Sequence, residues 1–125
     1  MSLQKDILDY VCDLHGYLIR LKEIHWSTNN NAEHLLCDEL MDDIRDSEDK
    51  FMESAMGLYD SKIKVGELKP YLPNATELKS MLNEMKIETV AIRSKLTKPE
   101  ESGLVTVLDD ILLFIGKYLY RATQK

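Results

Sequence analysis

YDSKIKVGELKPYLPNA (Tyr59–Ala75) stands apart from the sequence on either side of it. It holds Gly66, Pro70 and Pro73 and no sustained hydrophobic period. It therefore reads as a connection with room for one short helical turn. Before and after it, apolar residues recur at intervals of three and four, the period of an α-helix. Upstream, Ile7, Val11, Leu14, Leu18 and Leu21 form one stripe, with His25 next in the series. Ser27–Asn31 breaks that pattern. Asn30 with Glu33 three residues on then has the form of a capping box. A second stripe follows through Leu36, Leu40, Ile44, Phe51, Ala55 and Leu58, with Gly57 near its end. Downstream, Asn74 and Glu77 form another box-like start, and Leu78, Met81, Met85, Ile92 and Leu96 carry a third helix. Thr97-Lys98-Pro99 interrupts, and proline suits a first helical turn. Leu104, Leu108, Ile111, Ile115, Leu119 and Ala122 carry a fourth.

Four helices with one burial stripe each imply an all-α four-helix bundle. The outer connections are short and join antiparallel neighbours. The middle one has about 17 residues and can reach ~56 Å at ~3.3 Å per residue. A helix of about 26 residues is ~39 Å long. The connection can thus run the full bundle length, a crossover that leaves helices two and three parallel. The 125 residues form a single domain, 1–125, long enough for a sizeable core.

The charge balance is acidic, with 22 Asp and Glu against 16 Lys and Arg and a net charge of −6. Without a basic stripe, DNA binding is not expected, because nucleic-acid affinity rests on phosphate neutralisation. Such a surface attracts cations. No apolar run approaches the ~18 residues needed to span a bilayer. The start, MSLQKDILDY, lacks the marks of a signal peptide, so a cytoplasmic location is expected. Cys12 and Cys37 are far apart, form no CxxC, and are expected to be reduced.

The chemistry concentrates in EIHWSTNNNAEHLLCDELMDDIRDSEDKFME (Glu23–Glu53), which holds two of the three histidines and the single tryptophan. Eight of the sixteen residues from Asp38 to Glu53 are acidic. At about 100° per residue, His34, Asp38, Asp49 and Glu53 fall on one arc about 100° wide, at the flank of the apolar stripe. A flank residue is buried only if something else covers it, and a partner subunit is a natural candidate. His25 continues the apolar stripe of helix one, where an imidazole needs a partner. Carboxylates with imidazoles suit Fe, Mn or Zn, and an oxygen-rich set with open positions favours iron or manganese. The plain alternative is a solvated acidic face beside a hydrogen-bonded core histidine. A Glu-x-x-His pair, the mark of a di-iron site built inside one bundle, occurs nowhere in the chain.

The same segment resembles the Dps-like miniferritins of the ferritin superfamily. The resemblance rests on His25-Trp26, on His34-x-x-x-Asp38, and on Asp49-x-x-x-Glu53. It implies a ferritin-like bundle and a mono- or di-iron site between subunits. The metal ligands would be His25, His34, Asp38, Asp49 and Glu53, with Trp26 beside them as an electron donor or radical trap. The implied activity is that of a ferroxidase, oxidising Fe(II) with peroxide or oxygen for iron storage or detoxification. The implied partner is a second copy of the chain, in a homodimer or a dodecameric shell. The loop between His25 and His34 is shorter than that family's, and there is no Lys-rich arm. Two further readings are a helical bundle acting as a structural or interaction protein, and a phosphotransfer module using His15.

Overall fold

In the computed structural model, which describes residues 2–124, four helices account for nearly all the ordered structure. They are α1 (Ser2–Ser27), α2 (Asn31–Tyr59), α3 (Leu78–Lys95) and α4 (Ser102–Ala122). A short 3-10 turn, Pro99–Glu101, leads into α4, where the proline occupies the first turn as the sequence suggests. No strand occurs among the described residues. The chain is an all-α bundle, as its periodicity requires.

Side-chain pairs fix the directions. Tyr10 of α1 meets Thr89 of α3, and Asp6 near the start of α1 meets Lys95 at the end of α3. These helices are therefore antiparallel. Asp43 of α2 accepts from Tyr118 of α4, while Tyr59 at the end of α2 donates to Glu101 just before α4, so this pair is antiparallel too. Each of α1 and α4 packs beside α2 and α3. Helices α2 and α3 run parallel across the diagonal, which is the crossover arrangement that the long connection permits. The connection contains turns and no helix.

The core is formed largely by the residues that the stripes single out, joined by others such as Tyr17, Met41 and Leu82. Leu21, Leu40, Phe51, Met81, Leu82, Met85, Leu108 and Ile115 are all fully buried. Truncating one such side chain to alanine typically costs ~2–5 kcal/mol, through lost transfer energy and the cavity left behind. Leu58, expected in the second stripe, is instead exposed near the end of α2. Both cysteines are buried and free.

Several polar pairs join helices that are distant in sequence. Thr89 donates to the Met85 carbonyl at 2.7 Å, so its single hydroxyl hydrogen is used. Tyr10 must then be the donor in the buried 2.8 Å contact with Thr89 Oγ1. Glu101 is 1% exposed yet charged. The Tyr59 hydroxyl and then the Lys98 N–H bond its carboxylate and hold it below the usual carboxylate range, against the cost of burial.

The helix starts differ from expectation in two places: the Asn30–Glu33 box is only half formed, because the Asn30 N–H donates to Thr28 Oγ1 at 3.1 Å and not to the Glu33 side chain. Asn30 caps α2, with Oδ1 accepting from the Glu33 N–H at 3.1 Å. Asn30→Ala should therefore cost about 1 kcal/mol in chemical denaturation. The second expected box does not form. Helix α3 begins after Glu77, which makes no side-chain cap, and Asn74 lies in the connection. There the position of the chain is set by contacts with α1. The Tyr71 N–H donates to the Cys12 carbonyl at 3.1 Å, and Arg20 Nε donates to the Pro73 carbonyl at 3.2 Å. Pro73 is buried.

Candidate metal centre

Helices α1 and α2 form an antiparallel hairpin joined by three residues, Thr28–Asn30. The hairpin brings the last turn of α1 against the first turn of α2, and with them His25 and His34. The two rings stack with centroids 3.7 Å apart and planes 17° apart. Each ring bonds to the other residue's backbone. His25 Nδ1 lies 2.9 Å from the His34 carbonyl oxygen, and His34 Nδ1 lies 2.8 Å from the His25 carbonyl oxygen. Helix ends leave carbonyls without intrahelical partners, and His25 lies where α1 has begun to run out of them.

These reciprocal bonds decide the tautomer. A carbonyl can only accept, so both Nδ1 atoms carry hydrogen and donate. In a neutral ring the lone pair is then on Nε2. This is the arrangement found in metal-binding histidines, whose second nitrogen donates to a carbonyl or carboxylate and fixes the ring. Asp38, one turn after His34, completes the group. Its Oδ1 is 3.6 Å from His25 Nε2. A ring nitrogen of each histidine and a carboxylate oxygen of Asp38 all lie within 4.8 Å of one another. Two ligand atoms held at 2.0–2.2 Å by a tetrahedral cation stand roughly 3.4 Å apart. To hold one ion the three groups would have to draw in to that spacing, and the two nearly parallel rings would have to turn so that their nitrogens point at it. Among the described residues this is the one group of three or more His, Cys, Asp or Glu with such convergence.

The burial is graded. His25 is buried, His34 half-buried and Asp38 exposed, so the centre opens to solvent on one side. The adjacent Cys37 is fully buried, burial pushes its thiol up to about 12, and it is not one of the converging residues.

The remaining residues singled out in the sequence lie elsewhere. Asp49 and Glu53 are exposed on α2, about 22 Å and 28 Å along the helix from His34 at 1.5 Å per residue. One chain cannot bring them to His25, His34 and Asp38. Trp26 follows His25 but is 72% exposed, with the Lys22 ammonium 5.3 Å over its ring. His15 is half-buried, with Nδ1 2.7 Å from Glu48 Oε2 on α2. The reciprocal imidazole–carbonyl bonds have no sequence signal beyond two histidines flanking a short loop.

A second titratable cluster lies between α1 and α3, where Asp13 faces Glu88. Burial first, and then Glu88, Asp9 and Glu84, push Asp13 up to about 7. The folded state therefore holds a proton that the unfolded chain gives up near pH 4. Stability from this group falls as pH rises from about 4 to about 7 and is level above. Asp13→Asn should remove this decline and raise stability at pH 8, as read from denaturation midpoints across that range.

A family model covers residues 25–121, more than three-quarters of the chain and all three residues of the candidate centre. The chain belongs to a family of unknown function, DUF5856. This corrects the resemblance to the Dps-like miniferritins, since no Dps or ferritin family matches. The shared spacing has a simple physical origin. In a helix where half of a sixteen-residue run is acidic, Asp and Glu at chosen positions come easily. No curated protein and no solved structure matches the chain. Among the described residues of this family member, no helix is long and apolar enough to cross a membrane.

Proposed function

We propose that this protein binds one divalent transition-metal ion per chain, at His25, His34 and Asp38. The observation that carries this reading is the pair of Nδ1–H···O=C bonds, which hold both imidazoles in the Nε2 lone-pair tautomer beside a carboxylate. Two histidines and one carboxylate with open positions suit Fe(II), and also Mn(II) or Zn(II). The half-exposed setting leaves the remaining coordination positions to water or to a small reactant.

Ferrous oxidation is the activity that such a centre can serve, with Fe(II) as substrate and oxygen or peroxide as electron acceptor. A two-iron version would need Asp49 and Glu53 from a second copy of the chain, whereas the one-ion version does not. Anaerobic titration with Fe(II), Mn(II) and Zn(II) separates these versions. The proposal expects one ion per chain, unchanged in Asp49→Ala/Glu53→Ala, and Fe(II) oxidation on admitting oxygen that this double variant retains. Two ions per chain with loss of one in the double variant would favour the shared site. No binding at all would contradict the proposal.

A metal-free reading has one observation in its favour. Protonated His25 would pair with Asp38 across 3.6 Å and, with the stacked ring of His34, tie the α1–α2 hairpin without a cation. In that case the bundle serves as a structural or interaction protein, and the same titration shows no bound ion.

A further inference from the structure

The run Ile111-Leu112-Leu113-Phe114-Ile115 of α4 is apolar for more than a full turn. At about 100° per residue it therefore points in every direction. The bundle covers only part of it. Ile111 and Ile115 are buried, Leu112 and Phe114 half-buried, and Leu113 is 76% exposed. Tyr120, two turns on and on the same side, is 67% exposed. A helix that is apolar all round is normally covered all round.

Neighbouring contacts orient this surface. Tyr118 and Arg121 reach α2 at Asp43 and Glu39, whereas Asp109 accepts from Arg93 of α3 at 2.6 Å. Leu112, Leu113 and Tyr120 consequently lie between the solvent side of α4 and its α3 flank. The Arg93–Asp109 pair also sets the register of the two antiparallel helices. It brings Ile87 and Val90 of α3, 70% and 48% exposed, level with the Leu112–Ile115 stretch. The two helices thus share one outward apolar face. With α3 18 residues long, that face measures roughly 27 by 20 Å, at 1.5 Å per residue and about 10 Å per helix. Its rough surface exceeds that outline and comes near the ~800 Å² that each partner covers in a stable dimer.

The charges on α4 identify what fits there. Asp109 and Arg121 are already paired within the chain, whereas Asp110 and Lys117 form no ion pair among the described residues. Asp110 and Lys117 share the α2 flank of α4, about two turns apart, with Leu113 midway between them. A surface with one acid and one base placed evenly about its centre complements a copy of itself turned end for end. We propose that two copies of this chain pair through α4, antiparallel across a two-fold axis beside Leu113. Asp110 then meets the partner's Lys117, and Lys117 meets the partner's Asp110. A parallel pairing would instead set like charges at the same level. The apolar faces of α3 and α4 close against their counterparts, as isologous contact requires. The histidine centre lies on α1 and α2, so each chain keeps its own centre whole.

Sedimentation of the full chain from about 1 to 100 µM tests the proposal. The wild type should reach twice the 14.5 kDa chain mass. Leu113→Glu should remain a monomer over the same range with unchanged helicity, because its side chain already faces solvent. Asp110→Lys and Lys117→Asp should each weaken association by more than about 10-fold, since each creates two like-charge contacts across the axis. The double variant Asp110→Lys/Lys117→Asp exchanges the charges and should return association to within about 3-fold of wild type. A monomeric wild type at 100 µM would overturn the proposal. A dimer that persists in Leu113→Glu would place the contact on another face and overturn it equally. A double variant no better than the singles would show that the two charges do not meet, and would overturn the antiparallel arrangement.

Discussion

Gly16→Ala is expected to lower the thermal midpoint by roughly 10 °C or more, from a loss on the order of 2–4 kcal/mol. A Cβ on Gly16 would stand 1.8 Å from the Tyr71 carbonyl oxygen and 2.6 Å from its carbon. Both are backbone atoms, so no rotamer change relieves the overlap. The connection would have to lift away from α1. The Tyr71–Cys12 and Arg20–Pro73 hydrogen bonds would then be lost and Pro73 exposed. Helix propensity alone gives the opposite sign, because alanine favours a helix interior over glycine by about 1 kcal/mol. Gly116 and Gly103 in α4 serve as controls, since a Cβ at either meets nothing within 4 Å. Alanine at those positions should raise the midpoint slightly. A stabilised Gly16→Ala protein would show that the connection does not lie across α1.

His34→Ala is expected to weaken Zn(II) binding more than about 100-fold, since even the supporting partners of metal ligands are worth 10–100-fold. It removes one nitrogen donor and also the ring whose Nδ1–H bonds the His25 carbonyl. Because His34 is half-buried, the loss in folding stability should be smaller than for the buried His25. Asp38→Asn should weaken binding by less, because the amide oxygen can still approach a cation without its charge. Asn30→Ala offers a subtler probe. It loosens the first turn of α2, and with it the placement of His34, while removing no ligand.

Much of the fold is legible in the sequence because hydrophobic period and loop length report directly on helix number and reach. The stripe from Ile7 to Leu21 points to His25 as a buried end residue, and His25 is buried. The crossover is permitted, though not required, by a proline- and glycine-bearing connection long enough to span the bundle. The i,i+4 pairing of His34 with Asp38 is likewise readable, because helix geometry alone places them together. Other features depend on tertiary neighbours that no local pattern encodes. Gly16 looks like a weak spot in a helix until Tyr71 is seen against it. Asn74 and Glu77 have the letters of a capping box, yet the connection is held by α1 and α3 starts without it. Asp49 and Glu53 share an angular sector with His34 but lie several turns along the helix from it, so only a second copy of the chain could bring them to the histidines, as the sequence reading required. Trp26 adjoins His25 in sequence and lies open to solvent. The family resemblance failed for a related reason: spacing within an acid-rich helix carries less information than it seems to when the letters are matched one by one.

Long-range ¹H–¹⁵N correlation spectra of the three imidazoles, recorded before and after one equivalent of Zn(II), test the metal centre most directly. The account predicts that His25 and His34 are both Nδ1–H tautomers in the metal-free protein. Their Nε2 resonances should then shift on addition of zinc, while those of His15 stay in place. Unchanged His25 and His34 resonances, or a shift confined to His15, would contradict it.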